Sequence, residues 1–336
     1  MQARPSSPFR TIKRRYFGIY GPICDYPTDG MDGFRVYSLS VVLHTVCGLI
    51  FHKKTIFPKN DMPVTPTNQQ LFPHKRWLVC RPEDYDVRYQ INPWMDLSKV
   101  PEKALASTQW TNLHHHLIRL GAWLEYVEHA PGVPDMVFTA NAGLVRGRDV
   151  VLSRFRFKER QGEEAHFRAW FEGNGFRVLE VKSGSFEGEG DALFNGDRLF
   201  CGYGFRSDLK AHEEAAQSLG VQDLITVELK DPRFYHLDTC FCPLTPTLGM
   251  FNPGAFSADG IKALERCMEL IRVPEHDAAR FVCNAVVLGT DIVLPAGCPD
   301  TYRALGARGF TAHPVELSEF IKAGGAAKCL SLKLTQ

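Results

Sequence analysis

The rhythm of apolar and polar positions changes near residue 75. Downstream, short apolar runs of strand length alternate with stretches of helical spacing. Arg76-Trp-Leu-Val-Cys80 reads as a strand, residues 81–95 as a polar loop, and 104–129 as an amphipathic helix with Leu113, Leu117, Leu120 and Leu124 on one face. The spacing then predicts strands at 136–139 and 150–153, a helix at 163–175, and strands at 177–181, 192–194 and 198–201. A helix at 208–219, strands at 224–228 and 241–244, and a helix at 257–271 follow. The chain ends with strands at 281–287 and 291–294, a helix at 299–308, a strand at 311–314, a helix at 316–322 and a strand through Leu330, Leu332 and Leu334. Units of roughly 50 residues with two or three strands and one helix recur, which argues for a radial or layered α/β repeat rather than a doubly wound nucleotide fold. Neither of the glycine-rich phosphate-binding spacings is present, so nothing points to nucleotide phosphates.

Residues 1–70 differ in character. Arg4, Arg10, Lys13, Arg14 and Arg15 precede the first acid, Asp25, which is the composition of a targeting peptide, mitochondrial in type. A disordered start is the other reading, and both stand open. An apolar run at 36–51 is shorter than the about 20 residues a membrane span needs. Residues 57–73, with four prolines, read as a linker. The expected organisation is an N-terminal extension at 1–70 and a single α/β domain at 71–336.

Composition narrows the function classes. With 39 basic and 38 acidic residues the net charge is +1, so no basic excess argues for nucleic acid. The ten cysteines (24, 47, 80, 201, 240, 242, 267, 283, 298, 329) are scattered and several lie in apolar runs, which suits reduced thiols in a cytosol-like compartment. Cys240 and Cys242 lack a matching second pair for zinc. His114, His115 and His116 point about 100° apart on a helix and read as a solvated face.

Five segments carry residue types suited to chemistry. In Tyr235-His-Leu-Asp-Thr-Cys240, His236 and Asp238 alternate, so a strand would place both on one face. In Ser185-Phe-Glu-Gly-Glu-Gly-Asp191, the carboxylates of Glu187, Glu189 and Asp191 alternate with glycines, which allows close approach of a cation. Phe138-Thr-Ala-Asn-Ala-Gly143 ends a predicted strand at Asn141. Cys201-Gly-Tyr-Gly-Phe-Arg-Ser-Asp208 presents Arg206 just before a helix, as a planar clamp for a carboxylate. In the tail, Gly324-Gly-Ala-Ala-Lys-Cys329 allows a tight turn that brings Cys329 to a strand mouth.

Together, and in this order from about Trp77 to the C-terminus, these segments resemble the guanidino-group modifying superfamily: arginine deiminase, dimethylarginine dimethylaminohydrolase, amidinotransferases and the bacterial arginine dihydrolases. His236-Leu-Asp-Thr239 looks like the deiminase segment, and Gly-Gly four residues before Cys329, then Leu-Ser-Leu, looks like the end of the dimethylarginine hydrolases. The resemblance implies a fivefold pseudo-symmetric α/β propeller. It implies Cys329 as nucleophile, His236 as acid then base, and Glu187 rather than Glu189 as the acid orienting His236. It further implies Asp191 and Asp238 at the guanidinium and Arg206 at the substrate carboxylate. Where deiminases show Phe-Thr-Arg-Asp, this chain has Phe138-Thr-Ala-Asn141, so an amide stands for a carboxylate. The dihydrolases match this better, with a similar Asn92-Pro-Trp-Met95 loop that makes Asn92 a further substrate-binding candidate. Because an amide both donates and accepts, Asn141 suits a neutral ureido group as well as a cation. The implied activity is arginine dihydrolase, with dimethylarginine hydrolysis, amidino transfer and a non-catalytic arginine-binding scaffold as alternatives. The implied partner is a small guanidino compound in a cytoplasmic protein, with no metal or organic cofactor and with homo-oligomerisation open.

Overall fold

The structure, a computed structural model, describes residues 75–335. The basic start, the apolar run at 36–51 and the linker lie outside the described residues. The described chain forms five separate three-stranded sheets built on one plan. A middle strand pairs antiparallel with the first and, after a helical crossover, parallel with the third.

In chain order, β1 (Arg76–Cys80) leads through α1 (Lys103–Arg119) to β2 (Trp123–Val127). The hairpin β3 (Gly143–Arg146) and β4 (Asp149–Leu152) leads through α2 (Lys158–Gln161) and α3 (Glu163–Gly173) to β5 (Arg177–Leu179). The hairpin β6 (Ala192–Asn195) and β7 (Arg198–Tyr203) leads through α4 (Leu209–Ser218) to β8 (Asp223–Glu228). Next come β9 (Phe241–Thr245), β10 (Leu248–Phe251), α5 (Ala258–Cys267) and β11 (Glu269–Arg272). The last full unit contains β12 (Val286–Leu288), β13 (Asp291–Pro295), α7 (Pro299–Gly306) and β14 (Thr311–Val315), with α6 (Glu275–Ala278) before it and α8 (Ser318–Ile321) after it. The final strand, β15 (Leu332–Lys333), pairs antiparallel with β1, so the C-terminus supplies the missing first strand of the first sheet and closes the ring. This is the expected fivefold α/β propeller. Among the described residues, no helix is long and apolar enough to cross a membrane.

Three expected boundaries change. The helix expected at 104–129 ends at Arg119, because Gly121 takes φ +87 and turns the chain into β2. The helix expected at 257–271 stops at Cys267, and 269–272 form β11. In both, apolar residues at helical spacing also suit a short strand after a turn. The third change bears on the site: the strands expected at 136–139 and 281–287 begin only at Gly143 and Val286.

What precedes those strands is a tight turn, repeated in four sheets by one backbone bond. Asn141 donates to the Phe138 carbonyl, Gly190 to Glu187, Thr239 to His236 and Asn284 to Phe281. A turn of this kind interrupts the apolar strand and points its polar residues away from the sheet. These turns carry the candidate residues.

Candidate active site

Glu187 and His236 occupy the same position in consecutive turns, and they meet. His236 Nε2 donates to Glu187 Oε2 at 2.7 Å, and Arg206 Nη1 donates to the same oxygen at 3.0 Å. All three side chains are buried. Burial pushes the Glu187 carboxyl up, but Arg206, the His236 hydrogen bond and Arg160 outweigh it and hold the group below the usual carboxylate range. Glu187 is therefore an anion that fixes the His236 ring through Nε2 and leaves Nδ1 outside that bond. The neighbouring Glu189 points elsewhere, accepting from Lys328 Nζ at 2.5 Å and from the Lys333 backbone at 3.0 Å. Arg206 also donates to the Ile91 carbonyl and lies between the Phe157 and Tyr235 rings.

Cys329 lies in the turn before β15, its sulfur held by two side chains from other sheets. Asn284 Nδ2 donates to Sγ at 3.0 Å while Asn284 Oδ1 accepts from the Cys329 N–H at 3.1 Å. The thiol donates to Asp238 Oδ2 at 3.3 Å. Burial, then the Asp238 charge, pushes the Cys329 thiol well above its ordinary value, and burial raises Asp238 to about 7. Both effects favour the protonated thiol. A cation brought to the sulfur would reverse that balance.

Cys329 forms part of a cleft with Asn141, Arg206, Asn92, Asp135, Arg160 and Tyr235 among its walls. The structure thus brings Cys329, Asn141, Arg206 and Asn92 to one surface, with the Glu187–His236 pair behind it. The Asn92 amide holds its own loop, accepting from Trp94 and Met95 and donating to the Ala323 carbonyl. Asn141 donates from Nδ2 to the Glu187 carbonyl at 3.0 Å and accepts at Oδ1 from Arg160 Nη1 at 2.9 Å. Asp191 and Asp238 were expected at the guanidinium, and neither is among the cleft-lining residues. Asp191 accepts from the Leu237 N–H at 3.1 Å, holding the backbone beside His236, and burial raises its carboxyl to about 6. Asp238 backs the thiol, and it follows His236 in a 3-10 turn rather than a strand, so the two side chains reach different partners.

Three residues escaped the sequence reading. Asn284 had a signal: Phe281-Val-Cys-Asn-Ala285 repeats the Phe-x-x-Asn-Ala pattern of Phe138-Thr-Ala-Asn-Ala142. Asp135 and Arg160 belong to no motif. Asp135 is buried in the cleft wall with Oδ2 accepting from Tyr89 and Oδ1 without a hydrogen-bond partner. Among the described residues, no group of three or more His, Cys, Asp and Glu side chains is arranged to hold a metal ion.

Residues 88–335 match the family model described as N,N dimethylarginine dimethylhydrolase, eukaryotic. The bifunctional arginine dihydrolase/ornithine cyclodeaminase ArgZ of Synechocystis sp. is 47% identical over 269 residues, 78% of this chain. The chain spans 38% of that relative's length. The N(G),N(G)-dimethylarginine dimethylaminohydrolase of Mycobacterium tuberculosis is 39% identical over 261 residues, covering 77% of this chain and 86% of that protein. The crystal structure of the N-terminal domain of ArgZ, as a cysteine-to-serine variant bound to substrate, superposes with TM-score 0.75 and 46% identity, covering 78% of this chain and 98% of that one. The same domain has also been crystallised covalently bound to a reaction intermediate. By the family match and the extent of these similarities, the chain belongs to the dimethylarginine dimethylaminohydrolase family of the guanidino-group modifying superfamily.

Proposed function

We propose that the protein is an arginine dihydrolase, a cysteine hydrolase that converts L-arginine to ornithine, two ammonia and carbon dioxide. The observation that carries this reading is the amide of Asn141 in the wall of the Cys329 cleft, where a deiminase-like site has a carboxylate. A guanidinium only donates hydrogen bonds, whereas a ureido group also accepts them, and an amide serves both.

The assigned roles follow the geometry. Asp135, with its unpaired Oδ1, takes a cationic group of the substrate, and Arg206 uses its remaining donors for the carboxylate. The guanidinium beside Cys329 favours the thiolate. Sγ adds to the guanidinium carbon, and His236 protonates the nitrogen that leaves as ammonia. His236 then deprotonates a water that adds to the same carbon, and the C–S bond breaks to give the ureido compound. A second addition expels the second ammonia, and water releases a carbamate that loses carbon dioxide to leave ornithine. Glu187 orients His236, Asp191 supports the His236 segment, Asp238 backs the thiol, and Asn92 shapes the cleft. These steps require no metal or organic cofactor.

A second reading, hydrolysis of N,N-dimethylarginine to citrulline and dimethylamine, is favoured by the description of the matching family model. A cytoplasmic setting fits either reading, since all eight cysteines among the described residues carry free thiols.

Product analysis tests the proposal. L-arginine incubated with the purified protein should yield ornithine and about two ammonia per arginine, with no turnover by Cys329→Ala. Citrulline as the end product would make it a deiminase. Turnover of dimethylarginine but not arginine would install the second reading. No turnover of either would leave amidino transfer, tested with an amine acceptor, and an arginine-binding scaffold.

A further inference from the structure

We infer that Glu163, outside the cleft, is a positioning residue that orients the Asn141 amide through Arg160 and thereby enables the second of the two hydrolyses. This inference rests on the dihydrolase reading above.

Glu163 opens α3 and is buried, as is Arg160. Its two oxygens accept from Arg160 Nε and Nη2, each at 2.8 Å, a bidentate pair that fixes the guanidinium plane. The Asp135 backbone carbonyl takes a further bond from Nη2 at 3.2 Å, and the Phe155 ring lies 4.5 Å from the guanidinium carbon. With three sides held, Nη1 points at Asn141 Oδ1 at 2.9 Å.

The opposite end of the Asn141 amide donates to the Glu187 carbonyl at 3.0 Å. These two contacts admit one orientation. A flipped amide would set its NH2 against the Arg160 N–H and its oxygen against the Glu187 oxygen. Fixed in this way, Asn141 keeps one N–H and one lone pair at defined places. A guanidinium in the first step needs only acceptors. The neutral ureido intermediate needs a donor for its oxygen as well, so the second step depends more on which end of the amide faces it. Burial pushes Glu163 up to about 7, against the pull of Arg160, so part of this clamp relaxes as pH falls below neutrality.

The test is the ratio of ornithine to citrulline formed from L-arginine by Glu163→Gln, beside the rate of ornithine formation from added L-citrulline. Loss of folded protein lowers both products together and leaves the ratio unchanged. Glutamine keeps the size but offers Arg160 one acceptor and a donor that opposes it. The expected result is a fall in the ratio of at least tenfold and a matching loss with citrulline, and Glu163→Asp should recover part of both. If Glu163→Gln does not fold, the aspartate variant carries the same test with a smaller fall. An unchanged ratio in either folded variant would overturn the inference while leaving the dihydrolase reading intact. A wild-type protein that makes no ornithine would overturn both.

Discussion

Glu187 and Glu189 stand two residues apart in one glycine-rich turn, and both are buried beside a cation. Glu187 pairs with Arg206 and, through the same oxygen, with His236. Glu189 pairs with Lys328 and the Lys333 backbone. The two arms have similar charge and burial, yet they differ in what the partner can do. The His236 imidazole has a second ring nitrogen beyond the one bound to Glu187, while the Lys328 ammonium is held between Glu189 and the Ser331 carbonyl. Buried acids mark both arms, and only the partner distinguishes them: an imidazole in one, an ammonium in the other.

Removing one charge from each arm separates the two. Glu187→Gln and Glu189→Gln should each cost about 3–5 kcal/mol of stability, because each leaves a buried cation without its anion. Denaturant titration would measure that. Only Glu187→Gln should remove the orientation of His236, the proposed acid–base group, lowering kcat by roughly 10²–10⁴-fold per folded molecule. Glu189→Gln should retain kcat to within about tenfold on the same scale. Equal losses of kcat would collapse the comparison.

The sequence made the arms only partly legible. A radial or layered α/β repeat was readable because alternating strand and helix periods recur, while its fivefold form came from the family resemblance, and Cys329, His236, Glu187, Asn141 and Arg206 stand in short polar segments between apolar runs. The turns themselves were not readable. Residues 136–139 and 281–287 are apolar enough to pass as strands, and only the backbone bonds from Asn141 to Phe138 and from Asn284 to Phe281 show that the chain turns first. That misreading put His236 and Asp238 on one strand face and hid Asn284. Asp135 and Arg160 were missed for another reason: their roles arise from partners brought together by the ring, and no local pattern encodes that.

Gly190 sits between the arms and sharpens the contrast. A Cβ there would lie 2.2 Å from Asn141 Nδ2 and 3.2 Å from the His236 ring, and no group of the Glu189 arm is among its nearest contacts. Gly190→Ala should displace the amide and the imidazole together and lower kcat/KM by about 10²-fold, the scale of a 1 Å misplacement. The Lys328–Glu189 pair should persist. Steady-state kinetics beside a crystal structure of the variant would check both parts, and full activity would mean that the close approach is not needed.

Asp238 joins the arms, since it accepts from the Cys329 thiol while Lys328 and Glu189 act on its charge. Burial raises its carboxyl from 3.8 to about 7, so the folded state binds the proton more tightly than the unfolded chain. Stability from this group is full below the unfolded value and falls as pH rises from about 4 to about 7. Glu187 has the opposite sign: its lowered carboxyl contributes stability above the unfolded value near 4.5, lost as pH falls. Asp238→Asn should therefore flatten the decline in unfolding free energy between pH 4.5 and pH 7.5, read from urea titrations at intervals across that range. The same variant removes a negative charge from beside the sulfur, so iodoacetamide at pH 8 should alkylate Cys329 several-fold faster than in the wild type. Slower alkylation would mean that Asp238 helps form the thiolate by accepting its proton, and would move Asp238 from the supporting arm into the chemistry.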